Sequence, residues 1–262
     1  MITVGLFDSG FGGLTVAREV KRQLPEANIE FYGDNGRNPY GPLSKETITQ
    51  YSRQILGFLG TKGVDVGIIA CNTATAAALE AVKDQFQFPV LGVIGPGARG
   101  GKAATKNKKV GVIATQFTIE SGAYDRMLKE LDSDIEVTGQ ACPKFTTLVE
   151  QGKSSGPDVE AAVSEYLATF KGTEIDTLIL GCTHYPVLID TIRRYVEGSV
   201  NIVDPAVETV AEAKAILKKK QPITGDTLPT YNFYTSGDVE QFTEIGSIIF
   251  GQHLQNVVQV TF

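Results

Sequence analysis

Two cysteines in this sequence occupy matching surroundings. Cys71 ends the apolar run GIIA and is followed by Asn72, Thr73 and Thr75, while Cys182 ends TLILG and is followed by Thr183, His184 and Tyr185 before Pro186, a favoured first helical residue. Each lies six residues after an aspartate, Asp65 in the first case and Asp176 in the second. A thiol placed where a strand gives way to a helix meets unpaired backbone N–H groups and the positive end of the helix dipole. Both lower its pKa from the free value of about 8.5, so that each cysteine can act as a thiolate base or a thiol acid. A single buried cysteine is more often inert packing. Two in matched polar settings point to paired acid–base chemistry, in which one thiol on each side of a substrate carbon removes and returns a proton and so exchanges mirror images. Each positioned group of this kind typically contributes about 10² to 10⁴ in rate. A redox dithiol is the alternative, although such pairs usually occur as Cys-x-x-Cys. The third cysteine, Cys142 in ACPKF, has no comparable polar neighbours and reads as packing.

Other residues extend the same chemistry. In GLFDSGFGG, Asp8 and Ser9 end a strand, and Gly10, Gly12 and Gly13 lead into a helix from about Leu14, where backbone N–H groups can cradle a carboxylate or phosphate. The glycines do not follow dinucleotide spacing and no phosphate-loop pattern is present, so a tight strand-to-helix turn is the plainer reading. His184 is within reach of a proton on Cys182 near neutral pH, although a histidine merely hydrogen-bonded at a helix start has the same appearance. His253, the other histidine, reads as structural. No Cys-x-x-Cys or His-x-x-x-His spacing suggests a metal, and none is expected.

These residues need elements to hold them. Short runs rich in Val and Ile, namely ITVGLF, VDVGIIA, PVLGVI, KVGVIA, TLILG and NIVD, alternate with helical segments, which predicts buried parallel strands joined by crossover helices. Ile48, Tyr51, Ile55 and Phe58 recur at helical spacing after Ser44, an N-cap residue type, and Val159, Val163 and Leu167 mark a second amphipathic stretch. VDVGIIACNT matches IDTLILGCTH, and VGLFDS from Val4 matches VGVIAT from Val110. The chain therefore reads as two pseudo-symmetric α/β domains with mainly parallel sheets and an active site in the cleft between them. The first would comprise residues 1–95 plus 210–262 and the second residues 96–209. GPGARGG (Gly95 to Gly101) and DPA (Asp204 to Ala206) are the expected loop crossings. The strand-like YNFYTS and NVVQVTF must return to the first half.

Composition limits the function. With 262 residues, 42% of them hydrophobic, the chain can build one large or two modest cores. A net charge of −6 disfavours nucleic acid as a principal partner. No apolar run reaches the roughly 18 residues of a membrane span, and MITVGLFDSG does not resemble a signal peptide. Three cysteines without close spacing fit a reducing compartment, so a cytoplasmic location is expected.

At this point the sequence resembles the glutamate racemases of the aspartate/glutamate racemase superfamily. FDSGFGG, PYGP at Pro39 to Pro42, CNTA, LVEQG at Leu148 to Gly152, GCTHYP and FYTSGD at Phe233 to Asp238 occur in the family's order. The resemblance implies racemisation of glutamate with two cysteines as bases and no cofactor, in the supply of D-glutamate for bacterial peptidoglycan. It implies that Cys71 deprotonates D-glutamate and Cys182 L-glutamate, with Asp8 and His184 in support and Glu150 assisting. Asp8, Ser9, Tyr40, Gly41, Asn72, Thr73, Thr115, Thr118, Thr183 and His184 match positions that hold the amino acid. Hydroxyls, amides and turn N–H groups suit its carboxylates, and Asp8 suits its ammonium. Thr115 and Thr118 could equally serve as helix caps. The partners this reading allows are glutamate and, in a homodimer, a second copy of the chain. The sequence departs from the family at Asn35, where relatives usually have Thr, and at Lys144, Thr146 and Thr147, where apolar residues and a proline are common. An aspartate racemase shares the two-cysteine plan but usually carries Glu where this chain has His184 and Tyr185. A silent amino-acid-binding module is the reading from another class, and retention of both cysteines with their polar neighbours argues against it.

Overall fold

The computed structural model describes residues 2–196, 200–220 and 228–262. Residues 221–227, within the C-terminal range assigned to the first half, lie outside the described residues, as does the Lys220 side chain. The apolar runs form strands β1 (Thr3–Asp8), β2 (Asn28–Gly33), β3 (Val66–Ile69) and β4 (Val90–Gly92), then β5 (Lys109–Ala114), β6 (Glu136–Ala141), β7 (Thr177–Gly181) and β8 (Asn201–Val203). β9 (Tyr231–Thr235) and β10 (Val257–Gln259) follow near the C-terminus.

One sheet has the order β10-β9-β2-β1-β3-β4 and the other β6-β5-β7-β8. Every described pairing is parallel. The segment β2-β1-β3-β4 thus has the same topology as β6-β5-β7-β8, with β1 equivalent to β5 and β3 to β7. The internal repeat follows from this duplication. Asp65 and Asp176 sit at equivalent strand starts, where Asp65 accepts a 2.9 Å hydrogen bond from Thr3 N and Asp176 accepts one of 2.9 Å from Asn107 N. Both cysteines emerge at the opposite, carboxyl ends of β3 and β7, where open parallel sheets bind ligands. β9 and β10 extend the first sheet, as the returning C-terminal strands were expected to do.

The helices follow the sequence periodicity. α1 (Leu14–Gln23) starts at Leu14, and α2 (Lys45–Thr61) is capped by Ser44, whose Oγ accepts from Thr47 N at 3.2 Å. α2 buries Ile48, Ile55 and Leu59. α3 (Asn72–Val82) follows Cys71, and α8 (Pro157–Leu167) buries Val159, Val163 and Leu167.

One expected loop is a helix. GPGARGG lies inside α4 (Ile94–Ala104), not in an open crossing. Gly and Pro lower helix propensity, but tertiary packing decides here. A Cβ on Gly101 would lie 2.6 Å from Ile179 Cδ1, and one on Gly97 would lie 2.9 Å from Pro205 Cγ, so small residues let α4 approach β7 and α10 (Pro205–Lys220). DPA likewise begins a helix, with Pro205 at its first position and Asp204 Oδ1 accepting from Ala206 N at 2.9 Å. The chain therefore passes between the sheets through α4 and α10, which pack on each other, and the expected division points at 95/96 and 209/210 fall inside these helices. One apolar cluster runs continuously from Leu14 and Val16 of α1 to Leu180 of β7 and Ala206 of α10. Among the described residues no helix is long and apolar enough to cross a membrane.

Candidate active site

A cavity of about 530 Å³ opens where the carboxyl ends of β1 and β3 face the carboxyl end of β7. It is lined from the first sheet by Ser9, Tyr40, Gly41, Cys71, Asn72 and Thr73, and from the second by Thr115, Glu150, Cys182, Thr183 and His184. Of the candidate catalytic and substrate-binding residues, all but Asp8 and Thr118 line it. Both are buried behind residues that do.

The Cys71 side is built on a full helix. Cys71 is the N-cap of the 11-residue α3, and its Sγ accepts from Ala74 N at 3.4 Å. The same sulfur lies 3.5 Å from Ser9 Oγ. The expectation that this position acidifies the thiol is not met. Burial and the negative charge of Asp8 push Cys71 up to about 12, and the Ser9 and Ala74 contacts offset only part of that. Cys71 therefore rests as a neutral thiol.

The Cys182 side is different. Cys182 was expected at the start of an α-helix with Pro186 as its first residue, but Pro186 lies within a short 3₁₀ turn, Tyr185–Leu188, and the α-helix that follows, α9 (Ile189–Tyr195), begins one turn later. Side chains replace the helix terminus. Cys182 Sγ lies 3.7 Å from His184 Nδ1 and 3.9 Å from Thr146 Oγ1. His184 Nε2 lies 3.3 Å from Glu150 Oε1, a charge contact without a well-aligned hydrogen bond. Burial works against a charged imidazole. The contacts with Cys182 and Glu150 and the charge of Asp8 outweigh it and raise His184 to about 10, so it is protonated at neutral pH.

Polar bridges join the two sides. Asp8 Oδ1 accepts from Gly10 N at 2.9 Å and Oδ2 from Thr183 Oγ1 at 3.0 Å. Burial raises the Asp8 pKa, against the pull of His184. Tyr124 donates to Asn72 Oδ1 at 2.8 Å, and Thr15 donates to the carbonyl of Thr183 at 3.0 Å. Thr115 Oγ1 lies 2.9 Å from Thr73 Oγ1, and it also caps α5 (Gln116–Glu120) by accepting from Thr118 N at 3.3 Å. Thr118 Oγ1 receives the Thr115 hydroxyl at 3.0 Å, so Thr118 braces Thr115 from behind. The Tyr40 hydroxyl is committed to Asp34, which leaves the rest of that residue facing the cavity. Gly12 explains the glycine-rich turn, because a Cβ there would lie 2.5 Å from His184 Nδ1.

Asn38 was not singled out from the sequence. It lines the cavity and donates from Nδ2 to Glu150 Oε1 at 3.1 Å, from the opposite side of the cleft. Pro143, Thr146 and Thr147 also line it, at helical spacing with Glu150 along α7 (Pro143–Glu150). That spacing was available in the sequence once Glu150 had been chosen. Cys142 is fully buried and its Sγ donates to Gln140 O at 3.6 Å, in keeping with packing. Among the described residues no group of three or more His, Cys, Asp or Glu side chains could hold a metal ion.

Residues 14–213 match the family described as Asp/Glu/hydantoin racemase. The chain belongs to that family. It is 46% identical over 256 residues to a protein of Oceanobacillus iheyensis named glutamate racemase, an alignment covering 97% of this chain and 93% of the relative. The crystal structure of glutamate racemase isoform RacE1 from Bacillus anthracis superposes with a TM-score of 0.93 at 41% identity, covering 99% of this chain and 97% of the other. The glutamate racemase of Francisella tularensis, solved in complex with D-glutamate, gives a TM-score of 0.90 at 33% identity, with the same coverage of 99% and 97%.

Proposed function

We propose that this enzyme interconverts L- and D-glutamate by a two-base mechanism, with Cys182 serving the L face of the α-carbon and Cys71 the D face, and with no cofactor. The observation that carries the reading is that the two thiols approach one cavity, which hydroxyl and amide side chains also line, from the ends of equivalent strands, one from each sheet. Residues 1–95 with 210–262 would form the Cys71 side and residues 96–209 the Cys182 side.

From L-glutamate, the α-proton passes to the Cys182 sulfur, next to a protonated His184 that favours negative charge there before the transfer. The C–H electron pair remains on the α-carbon, and the Cys71 thiol delivers its own proton to the opposite face. The D-to-L direction runs these transfers in reverse. A resting Cys71 thiol suits the donor role in the L-to-D direction. Ser9, Asn72, Thr73, Thr115 and Thr183 present hydroxyls and an amide to the carboxylates, and Tyr40 and Gly41 close the same wall. Asp8 acts from beneath, favouring the substrate ammonium by its charge and orienting Thr183. Glu150 holds His184 in its charged form, and Thr118 steadies Thr115. Three free cysteines fit a reducing cytoplasm, where D-glutamate would feed bacterial peptidoglycan synthesis.

Circular dichroism of purified protein with each amino acid at equal concentration, and no added cofactor, tests the assignment. Loss of optical activity is expected from either enantiomer of glutamate and little from aspartate. Faster loss from aspartate would overturn the choice of substrate.

A further inference from the structure

We propose that Thr146 is a positioning residue for Cys182, its hydroxyl donating to the sulfur when that sulfur carries the negative charge. The inference rests on the assignment of Cys182 as a base. α7 presents Pro143, Thr146, Thr147 and Glu150 to the cavity at positions i, i+3, i+4 and i+7, while Phe145 and Val149 of the same helix are buried in the core. The core contacts fix the helix rotation, and that rotation places the Thr146 hydroxyl 3.9 Å from Cys182 Sγ. A threonine inside a helix commonly turns its hydroxyl back to the carbonyl four residues earlier. Thr146 makes no such bond among the described residues, and its side-chain hydrogen-bond partner is Cys182.

Cys71 has a hydroxyl of its own, that of Ser9 at 3.5 Å. Each sulfur is therefore paired with one hydroxyl, brought from unrelated parts of the fold. On the Cys71 side the hydroxyl supplements a helix terminus. Cys182 has no such terminus, so Thr146 and His184 together supply its donors. The titratable groups that face Cys182 are His184, with Glu150 behind it, Cys71, Cys142, Tyr124 and Tyr185. Replacing Thr146 leaves all of them in place.

Thr146→Val removes the hydroxyl and preserves the shape. It should lower kcat/KM about three- to tenfold, the range for losing one modest hydrogen bond. The loss must be equal in both directions, because the enantiomers have equal free energy in water. Iodoacetamide alkylation, followed across pH by mass spectrometry of the separate cysteine peptides, reads each thiol independently. The Cys182 midpoint should rise by about 0.5 to 1 pH unit, the Cys71 midpoint should stay in place, and Thr146→Ser should restore both the rate and the midpoint. An unmoved Cys182 midpoint, or parallel movement of both cysteines, would overturn the role of Thr146. A fully active Cys182→Ser enzyme would overturn the two-base reading itself. An inactive Cys182→Ser enzyme with an unmoved midpoint in Thr146→Val would remove this inference alone.

Discussion

The two thiol settings share one topology and differ in electrostatics. Cys71 caps α3 yet is held neutral, because burial and the charge of Asp8 outweigh the contacts with Ser9 and Ala74 at its sulfur. Cys182 follows the equivalent strand but precedes only a 3₁₀ turn, and its neighbour is a histidine that Glu150, Cys182 and Asp8 keep charged at neutral pH. Duplication brought the two sulfurs to one cavity, and the side chains around them gave each a different neighbourhood. Cys71 is a neutral thiol beside a carboxylate, and Cys182 lies beside a charged imidazole. A helix N-terminus therefore does not guarantee an acidic thiol when the sulfur is buried and an aspartate lies beneath it.

The largest expected effects test whether both sides are essential. Cys71→Ser and Cys182→Ser should each lower racemisation by about 10³ or more, within the range for removing a positioned acid or base, while glutamate still binds. Cys142→Ser should remain near wild type. A near-normal rate from either of the first two would break the comparison.

His184→Asn should slow turnover about 10²-fold. It should also raise the pH at which Cys182 is alkylated and leave Cys71 unmoved, since Cys182 is the cysteine in contact with the ring. Glu150→Gln should act through that histidine. Removing the carboxylate 3.3 Å from Nε2 should lower the His184 titration midpoint from about 10 in an NMR titration, with about a three- to tenfold loss of rate.

The smallest effect concerns stability. The Asp8 pKa is raised by burial, so the folded state binds the Asp8 proton more tightly than the unfolded state does. The contribution of this group to stability is fully present below the unfolded value of 3.8 and is lost as pH rises through the folded value. Asp8→Asn should therefore raise Tm at neutral pH, by about 2–4 °C for each kcal/mol recovered, with the gain vanishing below the unfolded value, while activity falls. A lower Tm at pH 7 would show that the hydrogen bonds from Gly10 and Thr183 matter more than the cost of burying the charge.

Much of this site was legible before the structure because strand patterning and residue chemistry are local. The runs ending at Asp8, Cys71 and Cys182 fixed three strand ends, and the paired Asp-to-Cys spacing revealed the duplication. Contacts across the cleft were less legible. Asn38 meets Glu150 only because two sheets converge, and no short-range pattern records that. The helix at GPGARGG was hidden because its glycines serve close packing against Ile179 and Pro205, residues far away in sequence. Pro186 suggested a helix start and marks a 3₁₀ turn instead, a distinction set by how the chain leaves β7. Acidification of Cys71 failed as an expectation because burial is a property of the fold as a whole.

The most direct test of a two-sided site is racemisation of L-glutamate in deuterated water, stopped at low conversion and read by mass spectrometry of the separated enantiomers. If Cys182 removes the proton and Cys71 supplies a different one, the D-glutamate formed carries solvent deuterium at the α-carbon, while the remaining L-glutamate stays largely unlabelled. D-glutamate that retained the original hydrogen would mean that one group works both faces, and would contradict the division of labour between the two thiols.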